Sequence, residues 1–180
     1  IKRHFNVFEI SNISDARDIK KIDLQKNGHV NVLLNIHGNS NAKYTMSLFN
    51  NYEATSDEVL NFVAAYSHKG AKLKILSKAC FGANIHHSNI KLANGSILMS
   101  LSDEDNITHV IDYRHDKMQG FLSSALQTGP IKLEDFFKIY CLSQKVYQNT
   151  PKISIYNTEN KVTLSLDVFL EQNIEKINSL

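Results

Sequence analysis

Apolar residues along this chain cluster in short β-branched runs, and several stretches between them carry helical spacing. His4 to Ile10 alternates as a strand does. Ser14 and Asp15 then open a helix to about Lys26, with Ile19 and Ile22 on one face and Gly28 as its stop. Val30 to Ile36 is mostly apolar, the pattern of a strand covered on both faces, and it runs into the polar loop His37-Gly38-Asn39-Ser40-Asn41. The next helix is the best marked. Thr55 and Glu58 form a capping box, in which hydroxyl and carboxylate each take the other residue's backbone N–H. Val59, Phe62, Val63 and Tyr66 follow at helical spacing, and Gly70 is a left-handed stop.

Leu73 to Leu76 is a second apolar strand, leading into Ser77-Lys78-Ala79-Cys80-Phe81-Gly82. A loop with His86 and His87 precedes a third strand, Ile97 to Leu101, whose exit is Ser102-Asp103-Glu104-Asp105-Asn106. Val110 and Ile111 make a short strand and Lys117 to Leu126 a helix. Pro130 starts an amphipathic helix with Leu133, Phe136, Phe137, Tyr140 and Cys141 on one face. Lys152 to Tyr156 and Val162 to Leu166 flank Asn157-Thr158-Glu159-Asn160 as a hairpin, and Asp167 to Leu180 reads as a short helical tail. Strands alternating with helices require right-handed crossovers, so the expected class is α/β, with a mostly parallel central sheet and helices on both faces.

Composition narrows the function classes. The 180 residues suit one domain spanning 1–180, and with 7 Gly and 2 Pro no flexible linker divides them. Charged residues are 21% and hydrophobic ones 42%, so the chain can bury a core and is not disordered by composition. Lys and Arg total 20 against 18 acids, with no basic run, which argues against a nucleic-acid partner. No window reaches the roughly 20 apolar residues of a membrane span. The two cysteines, Cys80 and Cys141, cannot staple a disulfide scaffold, and a reducing compartment is the simpler expectation. Asn (19), Ile (18) and Lys (17) dominate as in an AT-rich genome, and the chain opens on Ile1 without an initiator Met. Together these suggest a piece of a larger bacterial protein, such as a secreted toxin or an effector delivered into a host cytosol.

The chemistry concentrates at two strand ends. In a mostly parallel sheet, ligands bind beyond the carboxyl ends of the strands. His37 lies just past one such end and Cys80 just past the next, 43 residues on. An imidazole beside a thiol can take its proton or hold the thiolate as an ion pair. Gly38 lacks a β-carbon, so its amide can approach a substrate closely. The Cys80 amide is a second oxyanion donor if the chain turns sharply there, as small Ala79 and Gly82 allow.

An apolar strand ending in His37-Gly38, then a helix, then an apolar strand ending in Ala79-Cys80-Phe81-Gly82 resembles the caspase-like clan of cysteine peptidases. The likeness covers about residues 29 to 106, and the spacing is close to the histidine about 50 residues upstream in caspases. Lys78 stands where caspases carry glutamine. The resemblance implies a caspase-like three-layer sandwich and a cysteine endopeptidase acting on a protein or peptide substrate without a cofactor. Cys80 would be the nucleophile and His37 the proton handler, with the amides of Gly38 and Cys80 as the oxyanion hole. It also implies that the exit of the third strand lines the pocket for the residue before the cut bond. Asp103 and Ser102 are the candidates there, and a carboxylate at that place would select Arg or Lys.

Other readings stand beside this one. The same dyad serves an acyltransferase, and the same fold serves a non-catalytic interaction module. Asp103, Glu104 and Asp105 also read as a solvated turn. Cys141 sits on a helix stripe and reads as core. No zinc-motif spacing accompanies His86 and His87, which read as a solvated loop, so no metal is expected; His109 and His115 read as surface residues.

Overall fold

A computed structural model describes residues 29–34, 36–46, 52–65, 71–106 and 148–178. The expected strands at His4 to Ile10 and at Val110 and Ile111 lie outside these residues. So do the helices at 14–26, at 117–126 and from Pro130 with Cys141, and the residues His109 and His115.

The described elements, in chain order, are β1 (His29–Leu34), β2 (His37–Gly38), β3 (Lys43–Met46), β4 (Tyr52–Thr55), α1 (Ser56–Ala65), β5 (Lys72–Ser77), a 3₁₀ helix (Gly82–His87), β6 (Ile97–Ser100), β7 (Lys152–Tyr156), β8 (Lys161–Ser165) and α2 (Leu166–Asn178). A five-stranded sheet runs in the order β1-β5-β6-β7-β8. Its first three strands are parallel, with Val32 opposite Ile75 and Leu76 opposite Met99. The β7–β8 hairpin joins antiparallel, so the sheet is mixed rather than mostly parallel. The short turn at 157–160 dictates this, because two strands joined by so few residues can only run antiparallel.

Alternation along each strand sends side chains to two cores. Leu73 and Ile75 of β5, Leu98 of β6 and Tyr156 of β7 pack with Val59, Leu60 and Val63 of α1. Leu76, Met99 and Ile153 point the other way, toward Leu166 and Leu170 of α2. One helix therefore packs against each face of the α/β sheet. The start of α1 follows its sequence signal: Thr55 N–H donates to Glu58 Oε2 at 2.8 Å, and Glu58 N–H donates to the Thr55 hydroxyl at 3.3 Å. That pairing holds the Glu58 carboxyl below its ordinary range.

Three expectations need correction. β1 ends at Leu34, and Leu33 is 60% exposed, so β1 is not covered on both faces. Among the described residues it is an edge strand, partnered on one side only. Only the later part of the expected loop is one: His37 and Gly38 form β2 in a small antiparallel sheet, β2-β3-β4, and the chain turns at Asn39 to Ala42. Tyr44 and Ala54 anchor this sheet in the core at 1% exposure each. Finally, His86 and His87 lie on the 3₁₀ helix, and His86 is buried.

Candidate functional site

Beyond β5 the chain makes a tight turn that carries Cys80. Lys78 N–H still donates to Leu34 O at 3.0 Å, extending the parallel ladder by one bond. Ala79 is fully buried and Cys80 half-buried. Phe81 then adopts φ 52°, ψ 31°. This is the left-handed region, which costs an aromatic residue on the order of 1 kcal/mol. Surrounding contacts hold it there. Phe81 N–H donates to Asn106 O at 2.8 Å, Gly82 N–H donates to Ser102 Oγ at 2.6 Å, and Ser102 Oγ donates to Ala79 O at 2.8 Å. The buried Tyr44 hydroxyl reaches Gly82 O at 3.5 Å, and burial pushes that phenol's pKa up.

The small sheet brings the His37-Gly38 segment against this turn. A β-carbon built on Gly38 would lie 1.8 Å from the Cys80 carbonyl oxygen and 3.4 Å from the Ala79 β-carbon, so only glycine fits. The α-carbon of His37 is one peptide step from that contact, which bounds the His37 and Cys80 α-carbons to about 10 Å apart. Strand alternation puts His37 on the opposite face of β2 from Gly38. There it is exposed, opposite Thr45, which in turn lies opposite Glu53. Glu53 accepts from Asn39 Nδ2 at 2.8 Å and pairs with Lys43 at 3.4 Å, bracing the turn that follows β2. The main chains of both candidate oxyanion residues, Gly38 and Cys80, thus meet, while the imidazole starts from the solvent face.

The exit of β6 is tied to itself. Asp103 Oδ1 accepts the backbone N–H groups of Asp105 and Asn106 at 3.0 and 2.8 Å. Its Oδ2 accepts from Asn106 Nδ2 and the Thr150 backbone at 2.9 and 3.1 Å. Those four donors match the lone pairs of a carboxylate, leaving nothing for a substrate's basic side chain. Ser102 is fully buried with its hydroxyl engaged at both ends. Substrate contact, expected of both residues, does not follow from this geometry; both act as loop fasteners. The neighbouring Glu104 binds Lys152 and lies 3.4 Å from His87. Burial raises the Glu104 pKa, but the hydrogen bond and charge of Lys152 outweigh it and hold the carboxyl below its ordinary range.

Beneath the turn runs a polar chain, buried at His86, Ser100 and Ser154 and ending at the exposed Thr163, that composition does not announce. His86 Nε2 lies 3.1 Å from Ser100 Oγ, and His86 Nδ1 lies 2.7 Å from Ser154 Oγ, which lies 2.6 Å from Thr163 Oγ1. Ser100 spends its proton on Ser102 O at 3.0 Å. It must therefore accept from His86, which assigns the proton to Nε2. Nδ1 is then the acceptor, so Ser154 donates to it and Thr163 donates to Ser154. Burial, with Lys161 and Lys152 nearby, pushes the His86 pKa down to about 3 and keeps the ring neutral. The signal for this chain was present as serines at inward-facing strand positions: Ser100 and Ser154 are both fully buried. Their meaning depended on which strands lie side by side.

Among the described residues, no group of three or more His, Cys, Asp or Glu is placed to hold a metal ion, and no helix is long and apolar enough to cross a membrane. No protein-family model, curated protein or solved structure matches the chain.

Proposed function

We propose that the chain is a cysteine endopeptidase of caspase-like architecture, with Cys80 as nucleophile and His37 as proton handler. The observation that supports this is the seating of Gly38 against the Cys80 carbonyl, beyond the carboxyl ends of adjacent parallel strands. Ligands collect at that edge of a parallel sheet, and a backbone approach this close calls for the glycine that follows the histidine. In this reading His37 takes the thiol proton and the Cys80 sulfur bonds to the peptide carbonyl carbon. The amides of Gly38 and Cys80 hold the oxyanion, and the imidazolium returns its proton to the departing amine. Water then attacks the thioester, giving its proton to His37; the carbon–sulfur bond breaks, the acid product leaves, and the imidazolium returns that proton to the Cys80 sulfur. An amine in place of water would make the same acyl-enzyme a transferase.

The exposed, outward placement of His37 favours a second reading, a non-catalytic module that keeps the fold. A peptide-like thiol-reactive probe separates the two. The peptidase reading expects covalent labelling at Cys80 that disappears in His37→Ala, whereas labelling of both chains at the rate of an ordinary thiol supports the module.

A further inference from the structure

The Cys80 turn is short and strained; Asn84 Nδ2 donates to Phe81 O at 3.0 Å, and the side chain of Ser102 bridges the two ends. Ala79 and Gly82 bracket Cys80 and Phe81, and the two hydrogen bonds that span this bracket share the Ser102 hydroxyl. Ser102 comes from the segment after β6, the strand adjacent to β5. Its oxygen receives the Gly82 N–H and its proton goes to the Ala79 carbonyl, so both functions of one hydroxyl are used. The fit is tight, since a β-carbon on Gly82 would lie 3.0 Å from that oxygen. Behind it, Ser100 donates to the Ser102 carbonyl, so the clamp is itself held by the His86 chain. Phe81 stays left-handed only while its neighbours over-determine it, and this hydroxyl holds both ends of the turn.

We propose that Ser102 is a positioning residue for Cys80: its hydroxyl locks the Ala79–Gly82 turn and thereby aims the thiol at a bound carbonyl. This rests on the reading of Cys80 as the nucleophile. Ser102 touches no substrate and acts only through the main chain on either side of the cysteine. Reaction geometry is sensitive to displacements of about 1 Å, which can cost about 100-fold in rate. Loosening the turn should therefore lower the rate of bond formation while leaving peptide binding alone.

Two reagents on the full chain isolate that effect, each read at the Cys80 peptide by mass spectrometry. A peptide-like acyloxymethyl ketone needs the thiol aimed, whereas iodoacetamide needs only access. In Ser102→Ala the ketone's inactivation rate constant is expected to fall about tenfold, with its binding constant and the iodoacetamide rate each within about twofold of the parent. Ser96→Ala is the control: Ser96 is equally buried and accepts the Leu73 N–H at 3.0 Å, but it is not part of the turn. It should leave the ketone rate unchanged. Equal ketone rates in Ser102→Ala and the parent overturn the positioning role and leave the nucleophile standing. A parent chain that the ketone does not label defeats the nucleophile and the positioning role together. Should Ser102→Ala fail to fold, amide exchange on the unmodified chain still decides: a Gly82 N–H that exchanges as fast as an exposed loop amide shows that no clamp exists.

Discussion

Lowering the pH from 7 to 5 is expected to weaken the fold through one buried side chain, His86. In the unfolded chain a histidine titrates near 6.5, whereas here burial and the charges of Lys161 and Lys152 push it down to about 3. Between those values the unfolded state binds a proton that the folded state refuses. The contribution is thus fully present above pH 6.5 and is lost as the pH falls toward 3. Each unit below 6.5 is worth about 1.4 kcal/mol, so the step from pH 7 to 5 removes about 2 kcal/mol. Glu58 and Glu104 are held below the ordinary carboxylate range and stay ionised across this window, so they do not imitate the effect. The assay is urea unfolding at pH 7, 6 and 5, for the parent and for His86→Gln, which keeps a donor toward Ser100 and cannot titrate. The variant starts less stable, because Ser154 loses its acceptor, but its stability should change by about 2 kcal/mol less over the interval. Parallel pH profiles for the two chains would refute both the neutral, buried state of His86 and the hydrogen-bond directions derived from it.

Two further substitutions probe the site. Gly38→Ala places a methyl 1.8 Å from a backbone oxygen, so the small sheet and the Cys80 turn must separate. A stability loss of about 1–3 kcal/mol is expected in thermal melts, together with loss of probe labelling at Cys80, and an unchanged melt would show that the two backbones do not meet. Asp103→Asn turns one acceptor oxygen of a saturated loop carboxylate into a donor facing other donors, at a cost of about 2 kcal/mol. A peptide library varied before the cut bond should show the same preference for this variant and the parent; a preference for Arg that collapses in Asp103→Asn would restore the carboxylate to the substrate pocket.

How far the sequence could be read depends on how local each cause is. The capping box at Thr55 and Glu58, the strands around Leu73 to Leu76 and Lys152 to Tyr156, and the hairpin turn at 157–160 are set by near neighbours and matched the structure closely. Ala79-Cys80 just past the end of β5 was legible for the same reason, since periodicity marks where a strand stops, whereas His37-Gly38 proved to be a strand of a second sheet. The limits of β1 were less so, because Leu33 is apolar in sequence but has no covering neighbour in the structure. A solvated pair of histidines was the natural reading of His86 and His87, because a single buried imidazole is permitted only by hydroxyls from β6 and β7, more than ten residues away in sequence.

The sequence by itself therefore determined the α/β class, the helix start at Ser56, and the cysteine turn just past the end of β5. Only tertiary structure decided what the candidate residues do. It seated Gly38 on the Cys80 carbonyl, turned His37 to the outer face of a three-stranded sheet, and closed Ser102 over the cysteine turn. It also spent the Asp103 carboxylate on its own loop and on the Thr150 backbone. The reason is physical: a periodic pattern specifies which side of an element is apolar. Whether a hydroxyl, an imidazole or a carboxylate is available for chemistry depends on which donors and acceptors the folded chain has already brought to it.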